Sequence, residues 1–172
     1  MVKTIEFFPE EGKYHYDGHR LCRVVFSPEE TKKHNGICPV CGRPLTVGVL
    51  SRVSELADRP EGFEPEGRVP FKRLVPLEEI IAEVLEVGIG AKEVLKEYGN
   101  LIDKFGSELD LLLEANIEKI ASLTLPELAE AIARARRGEI SVEPGYDGEY
   151  GKVRVFKNKE DKKQAAPQKS LF

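Results

Sequence analysis

The chain of 172 residues has no apolar run long enough to span a membrane, which excludes an integral helical membrane protein. Its opening, Met1-Val2-Lys3-Thr4-Ile5-Glu6, lacks the apolar stretch of a secretory leader, so a reducing cytoplasm is the expected compartment. Side-chain amides are scarce: Gln164 and Gln168 are its two glutamines, and Asn35, Asn100, Asn116 and Asn158 its four asparagines. With abundant lysine, arginine and glutamate, that scarcity leans toward a hyperthermophile. There are only three histidines and no His-x-His pair, which excludes a catalytic site built from several metals and many imidazoles. There are three cysteines and no fourth to complete an all-thiolate metal site.

The cysteines that are present carry the strongest signal. Cys38 and Cys41 form a Cys-Pro-Val-Cys knuckle followed by Gly42, Cys22 lies one loop upstream, and His19 stands three residues before Cys22. The pattern His19-x2-Cys22-x15-Cys38-x2-Cys41 is two short-spaced ligand pairs separated by a loop. Zn²⁺ takes four nitrogen or sulfur ligands in a tetrahedron, and two such pairs brought together by a hairpin supply it. Each x2 turn lets both side chains of a pair point one way, and a positive φ at Gly42 would relieve crowding around sulfur. A disulfide plus a free thiol, or small buried hydrophobes, also suit three cysteines. His15 and His34 are rivals of His19 for the fourth ligand. A tetrahedron filled by His19, Cys22, Cys38 and Cys41 leaves no open position for water, so the expected zinc is structural.

Residues 1–75 are rich in glycine, proline and β-branched residues. They carry twelve lysines and arginines against eleven acids. Short strands are predicted at Ile5–Phe8, Lys13–Tyr16 and Leu21–Phe26, with another at Leu45–Leu50 leaving the knuckle. Ser27-Pro28-Glu29-Glu30 reads as a helix start, with Ser27 as N-cap and Glu30 closing a capping box, and the helix should end by Asn35-Gly36. The Pro/Gly-rich stretch Arg59–Gly67 is the expected connector. From Pro76 the pattern is helical, with Leu77, Ile80, Ile81, Val84 and Leu85 on one face. Short helices are predicted at Ala91–Tyr98, Leu101–Phe105, Glu108–Glu114, Ile117–Leu123 and Pro126–Arg137, with Ser107 as an N-cap. Two strands, Glu139–Val142 and Lys152–Phe156, close the folded part. Residues 76–156 hold nine lysines and arginines against seventeen acids, a net charge of −8. Bulk charge will not hold nucleic acid there, so any DNA contact must be local. The expected class is α+β: a zinc-ribbon-like domain (1–75), a helical domain with a terminal β-hairpin (76–156), and a disordered lysine-rich tail (157–172).

Gly88-Ile89-Gly90, with Lys92 just after it, has the form of a helix-hairpin-helix turn, whose backbone N–H groups can grip a phosphate. A second hairpin is suggested downstream, but where Gly-x-Gly is wanted the chain has Leu123-Thr124-Leu125-Pro126. Arg134, Arg136 and Arg137 cluster at a predicted helix end, where they complement the helix dipole or contact DNA. At the C-terminus, Gln168-Lys169-Ser170-Leu171-Phe172 looks like the start of a sliding-clamp (PCNA) interaction box in which Gln168, Leu171 and Phe172 are the contact residues, cut short before the usual aromatic pair.

Several strings together resemble the C-terminal part of endonuclease Q, a PHP-family DNA-repair endonuclease of archaea and some bacteria. They are Gly12-Lys13-Tyr14-His15 with Asp17-Gly18-His19, Asn35-Gly36-Ile37-Cys38-Pro39-Val40-Cys41-Gly42, Leu56-Ala57-Asp58-Arg59-Pro60-Glu61-Gly62, Gly88-Ile89-Gly90-Ala91-Lys92 and Gly145-Tyr146-Asp147-Gly148-Glu149-Tyr150-Gly151. The resemblance implies an enzyme that nicks DNA 5′ to deaminated bases and works with the sliding clamp. It also implies that the chemistry belongs to an N-terminal PHP domain absent from this sequence. The expected function is therefore a non-catalytic DNA-binding and lesion-recognition module, with no activity of its own, acting with a PHP nuclease domain in cis or in trans. The alternative is a zinc-containing adaptor that binds protein partners, the clamp among them, without touching DNA.

Overall fold

The computed structural model describes residues 3–60 and 62–165, with no side-chain description for residues 163–165. Its architecture is α+β, as expected, with small two-stranded sheets and several helices. The chain forms two compact units. The first joins the described residues up to Lys72 with Val142–Val153, and the second joins Arg73–Ser141 with the described residues from Arg154 onward. This division differs from the expected boundary at residues 75–76: Val142–Val153 groups with the cysteine-bearing unit, not with the helices.

In the first unit, β1 (Thr4–Glu6) pairs with a later strand and leads into a 3₁₀ turn, Pro9–Glu11. The strand predicted at Lys13–Tyr16 is absent apart from a single bridge at Tyr16. β2 (Asp17–His19) pairs antiparallel with β3 (Val24–Phe26) in the register Asp17↔Phe26, Gly18↔Val25 and His19↔Val24. The connection is a 3₁₀ turn, Arg20–Cys22, closed by Arg23 in the left-handed region at φ 54°. Helix α1 (Pro28–Lys33) begins with the expected capping box: the Glu30 N–H donates to Ser27 Oγ, and the Ser27 N–H donates to Glu30 Oε2 at 2.8 Å. It stops at His34, and Asn35 and Gly36 then take positive φ.

The strand expected over Leu45–Leu50 is replaced after Thr46 by helix α2 (Val49–Leu56). The cause is remote in sequence. The carboxylate of Asp17, fully buried, accepts the Gly48 N–H at 2.5 Å and the Ser51 hydroxyl at 2.5 Å, which caps the first turn of the helix. β4 (Phe71–Arg73) is the partner of β1. The apolar core of this unit is small: Val24, Cys38 and Leu45, with Cys22 and Phe26 packed against them.

The second unit is a helical core of ordinary kind. Helix α3 (Leu77–Leu85) buries Leu77, Ile80, Ile81 and Val84, the face predicted from its spacing. It ends at Glu86 in the left-handed region, before the glycines expected to break it, and the Val87 N–H returns to the Ala82 carbonyl at 3.1 Å. Helix α4 (Lys92–Phe105) is continuous where two shorter helices were expected, and it buries Val94 and Leu101. Helices α5 (Glu108–Leu113), α6 (Ile117–Ala121) and α7 (Pro126–Arg137) follow. Ser107 caps α5 as predicted, accepting the Asp110 N–H at 3.1 Å. Glu108 binds two neighbours at once: the Leu77 N–H donates to it at 2.7 Å and the Tyr98 hydroxyl at 3.1 Å.

β5 (Ser141–Glu143) and β6 (Lys152–Arg154) pair with each other. Glu83 accepts the N–H groups of Val155 (2.9 Å) and Phe156 (2.7 Å), pinning the end of that strand to α3. The expectation of disorder from residue 157 is also corrected. Residues Lys159–Ala165 form α8, anchored by a two-pronged Arg134–Asp161 ion pair at 2.9 Å. Lys162 Nζ adds donation to the Val84 carbonyl at 2.6 Å and pairs with Glu86 at 3.0 Å. Among the described residues, no helix is long and apolar enough to cross a membrane.

Candidate metal centre and hairpin

The β2–β3 turn carries His19 and Cys22, and the knuckle carries Cys38 and Cys41. The knuckle is held by its own backbone: the Cys38 N–H donates to the Arg43 carbonyl at 2.8 Å and the Gly42 N–H to the Cys38 carbonyl at 2.9 Å. Gly42 takes φ +71°, the conformation anticipated for it. Reciprocal hydrogen bonds between Gly18 and Thr46, at 2.9 and 2.8 Å, clip the two segments together. The result is that the donor atoms of His19, Cys22, Cys38 and Cys41 all lie within 4.8 Å of one another.

The quartet fits a tetrahedral metal ion. Metal–sulfur bonds of ~2.3 Å and a metal–nitrogen bond of ~2.0 Å, meeting at tetrahedral angles, separate neighbouring donors by roughly 3.5–3.8 Å. Cys41 Sγ lies 3.7 Å from His19 Nδ1. The thiols' chemistry agrees. Burial, and then hydrogen bonding with Cys41 and Cys38, pushes the Cys22 thiol up to about 11. Burial also acts to raise Cys38, but the N–H groups of Cys41 and Val40 aimed at its sulfur outweigh it and hold the thiol below its ordinary value. Three crowded thiols cannot all ionise together without a cation, and a bound dication removes that obstacle.

Geometry favours this quartet over the alternatives. All three cysteines are free thiols, not a disulfide and a spare. His34 stacks on Phe26 with ring centroids 4.6 Å apart, and His15 stacks on Tyr16 at 5.4 Å, so both pack against aromatic rings.

Two supports were not foreseen. Asp17, through α2, is one. The other is the loop Gly145–Gly151, whose Asp147-Gly148 turn has positive φ at both residues, with Tyr146 and Glu149 exchanging backbone hydrogen bonds at 3.0 and 2.8 Å. Asp147 accepts the Thr46 hydroxyl at 2.6 Å and the Arg20 N–H at 2.7 Å, bracing the turn between His19 and Cys22. Burial works to raise the Asp147 carboxyl, but the Thr46 and Arg20 bonds, with the charges of Arg20 and His19, hold it below the ordinary value. The Tyr146 ring lies so close to Gly18 that a β-carbon there would collide with the ring and with the Val24 carbonyl. In the sequence this brace left two local traces, the Asp-Gly turn signal and the Gly145–Gly151 string, and neither names a partner.

In the second unit, Gly88, Ile89 and Gly90 join α3 to α4, and all three are exposed, as is Lys92 in the first turn of α4. Neither glycine takes positive φ, and a β-carbon at either would meet nothing within 4 Å. The fold itself therefore does not require glycine there. Leu123–Leu125 joins α6 to α7 in the second hairpin, where the Thr124 hydroxyl donates to Glu97. The arginine cluster is occupied. Arg134 pairs with Asp161 and Glu130, Arg136 donates to the carbonyls of Leu111 and Leu112 at 2.6 and 3.0 Å, and Arg137 pairs with Glu139 and Glu130. Gln168, Leu171 and Phe172 lie outside the described residues.

Fold and site thus define a two-part α+β protein: a unit whose His19, Cys22, Cys38 and Cys41 could hold a metal ion, and a helical unit. The MJ0043 C-terminal domain family matches residues 76–139. The chain is 39% identical over 145 residues to the uncharacterized protein MJ0043 of Methanocaldococcus jannaschii, covering 84% of this chain and 18% of that protein. It is 31% identical over 147 residues to the uncharacterized protein YqxK of Bacillus subtilis, covering 85% of this chain and 34% of that protein. Among solved structures it superposes on the lesion-specific endonuclease PfuEndoQ of Pyrococcus furiosus with a TM-score of 0.76 and 35% identity, over 91% of this chain and 40% of that one. An endonuclease Q bound to a 27-mer duplex with an abasic lesion at the active site matches with the same TM-score, at 34% identity, over 99% of this chain and 41% of that one. The chain resembles the C-terminal part of endonuclease Q, and it spans well under half the length of each of these relatives.

Proposed function

We propose that this chain is the non-catalytic, DNA-binding and lesion-recognition part of an endonuclease that nicks DNA 5′ to deaminated bases. The observation that carries the reading is the match over 99% of this chain to an endonuclease Q holding a lesion-containing duplex. The metal proposed for His19, Cys22, Cys38 and Cys41 is Zn²⁺ in a structural role: it would supply cross-linking, and four protein ligands leave it no open position for water. The chain's own groups set the platform. Asp17 fixes α2, and Asp147 fixes the turn between His19 and Cys22. The chemistry is assigned to a PHP nuclease domain in the same polypeptide or in another.

For DNA contact we assign Gly88, Gly90 and Lys92. Their glycines have no role that the fold demands, and a bare backbone is what close approach by a phosphate needs. Flipping a deaminated base costs less than flipping a well-paired one, which gives part of the selectivity. Gln168, Leu171 and Phe172 are assigned to the sliding clamp (PCNA) on their sequence pattern alone. The acidic helical unit favours a second reading, an adaptor that binds proteins and no DNA.

Electrophoretic mobility shift with duplexes containing uracil, an abasic site or no lesion separates the two. The recognition reading expects binding that prefers the lesions and weakens several-fold with Lys92→Ala. Binding to none of the duplexes, at low salt and with full zinc content, would leave the adaptor.

A further inference from the structure

Asp147 is the residue of the Gly145–Gly151 loop that braces the turn between His19 and Cys22; Glu149 and Tyr150 take no part in that brace. The loop is pressed onto the segment before it. A β-carbon at Gly145 would collide with the Gly12 carbonyl, and one at Gly151 with the Glu10 carbonyl. The N–H groups of Gly145 and Gly151 donate to the carbonyls of Glu10 and Glu11 at 2.8 and 3.0 Å, and those of Tyr16 and Gly148 to Gly145 and Lys13, both at 2.9 Å. Beside this fixed loop, within the first unit, opens a cleft of about 440 Å³, lined among others by Tyr146, Tyr150, Glu143, Glu149, Lys152 and Val25. Clefts of roughly 300–1,000 Å³ hold ligands of nucleoside size. The Tyr146 ring is packed against Gly18 and makes a firm wall. Tyr150 is 72% exposed, and Lys13 Nζ stands 5.6 Å from its ring centroid. A tyrosine left that far in water contributes little to the fold, so its ring is available to a ligand.

We propose that this cleft binds an unpaired nucleobase, stacked on Tyr150 and Tyr146 and held at its edge by Glu143, Glu149 and Lys152. This rests on the DNA-recognition function proposed above. The two carboxylates accept from the N–H groups of a base edge, and the lysine donates to a ring carbonyl or a phosphate. Lys13 and Lys152 offset Glu143 and Glu149, which suits a neutral ring edged with donors and acceptors better than a bare ion. An abasic site leaves the facing base without a partner, and a deaminated base leaves it weakly paired. In both cases a base on the intact strand is cheap to draw out of the stack. Stacking on an aromatic ring accepts any base, so one cleft serves lesions that differ in chemistry.

The test uses the full chain and 5-iodocytosine, which cross-links under light to an aromatic ring it stacks on and carries an amine for the carboxylates. It is presented in three forms: opposite an abasic site in a duplex, paired with guanine in an intact duplex, and as the free nucleoside monophosphate. Mass spectrometry locates the cross-link, and mobility shift reads duplex affinity. The expected result is a cross-link at Tyr150 or Tyr146 from the abasic duplex, several-fold stronger than from the intact one. Tyr150→Leu should bind the abasic duplex at least fivefold more weakly and Tyr150→Phe like the wild type. Because position 150 faces solvent, both variants keep wild-type helicity and zinc content. The proposal is overturned by no cross-link at either tyrosine from any form, by equal cross-linking from the two duplexes, or by unchanged binding of Tyr150→Leu. It is also overturned by a cross-link from the monophosphate alone while the duplexes are bound, which would make a free nucleotide the occupant. A cross-link from the monophosphate while neither duplex binds supports the nucleobase site and sinks the recognition reading.

Discussion

The two units keep their shape by different means. The helical unit buries Leu77, Ile80, Ile81, Val94, Leu101, Leu111, Ile120, Leu128 and Ile132 almost completely. Each such side chain contributes roughly 1.5–3 kcal/mol relative to exposure. Among the described residues, the first unit buries Val24, Leu45 and Cys38, and little else that is apolar. Its other buried groups are polar and paired, Asp17 with Ser51 and Gly48 above all. A unit with so small a core needs a cross-link, and the His19–Cys22–Cys38–Cys41 quartet is placed to provide one. One chain thus contains a part that folds by excluding water and a part for which we propose folding by binding an ion.

The sharpest way to break that contrast is to remove the ion. Chelation, or Cys38→Ser, is expected to unfold the first unit while helical circular dichroism largely persists, since structural zinc binding carries on the order of 10 kcal/mol. Unfolding of both units together, monitored by NMR or by circular dichroism during a chelator titration, contradicts the division of labour. The converse change is Ile132→Ala in α7. It is expected to cost the helical unit about 2–5 kcal/mol with zinc stoichiometry unchanged, measured by denaturant titration alongside metal analysis. Zinc loss on that substitution would show the units to be coupled.

The smallest effect comes from acid. The Lys157 N–H, and then Arg134, hold the Asp161 carboxyl below its ordinary value of 3.8. A carboxyl depressed in the folded state stabilises above its unfolded pKa and loses that contribution as pH falls through the folded one. The anchoring of α8 should therefore fade below about pH 4, and Asp161→Asn should remove that pH dependence from the helical unit's melting temperature.

How much of this was legible depended on how far apart the interacting residues stand. The clustering of His19, Cys22, Cys38 and Cys41 was, because each pair needs its partner only three residues away and one loop joins the two pairs. The buried face of α3 and the caps at Ser27 and Ser107 were, because helical periodicity and capping are local. Helix α2 was not: Val47 and Val49 read as β-branched strand residues, and the carboxylate that caps the helix lies at position 17. The brace from Asp147 to Thr46 and Arg20 spans more than a hundred residues, and no local pattern marks it. The Glu86 stop of α3 was hidden for a related reason, since its left-handed conformation sits beside Lys159 and Lys162, which pair with its carboxylate from far along the chain. The lysine-rich stretch after residue 156 looked unstructured because Arg134, which anchors it, belongs to another helix.

The contrast between the units stands or falls on what the four donors hold. X-ray absorption at the zinc edge, on protein purified without chelator, reads the ligand set directly. The account predicts one zinc per chain, bound by three sulfurs at ~2.3 Å and one nitrogen at ~2.0 Å. Absence of zinc, or a first coordination sphere with fewer than three sulfurs, would contradict it.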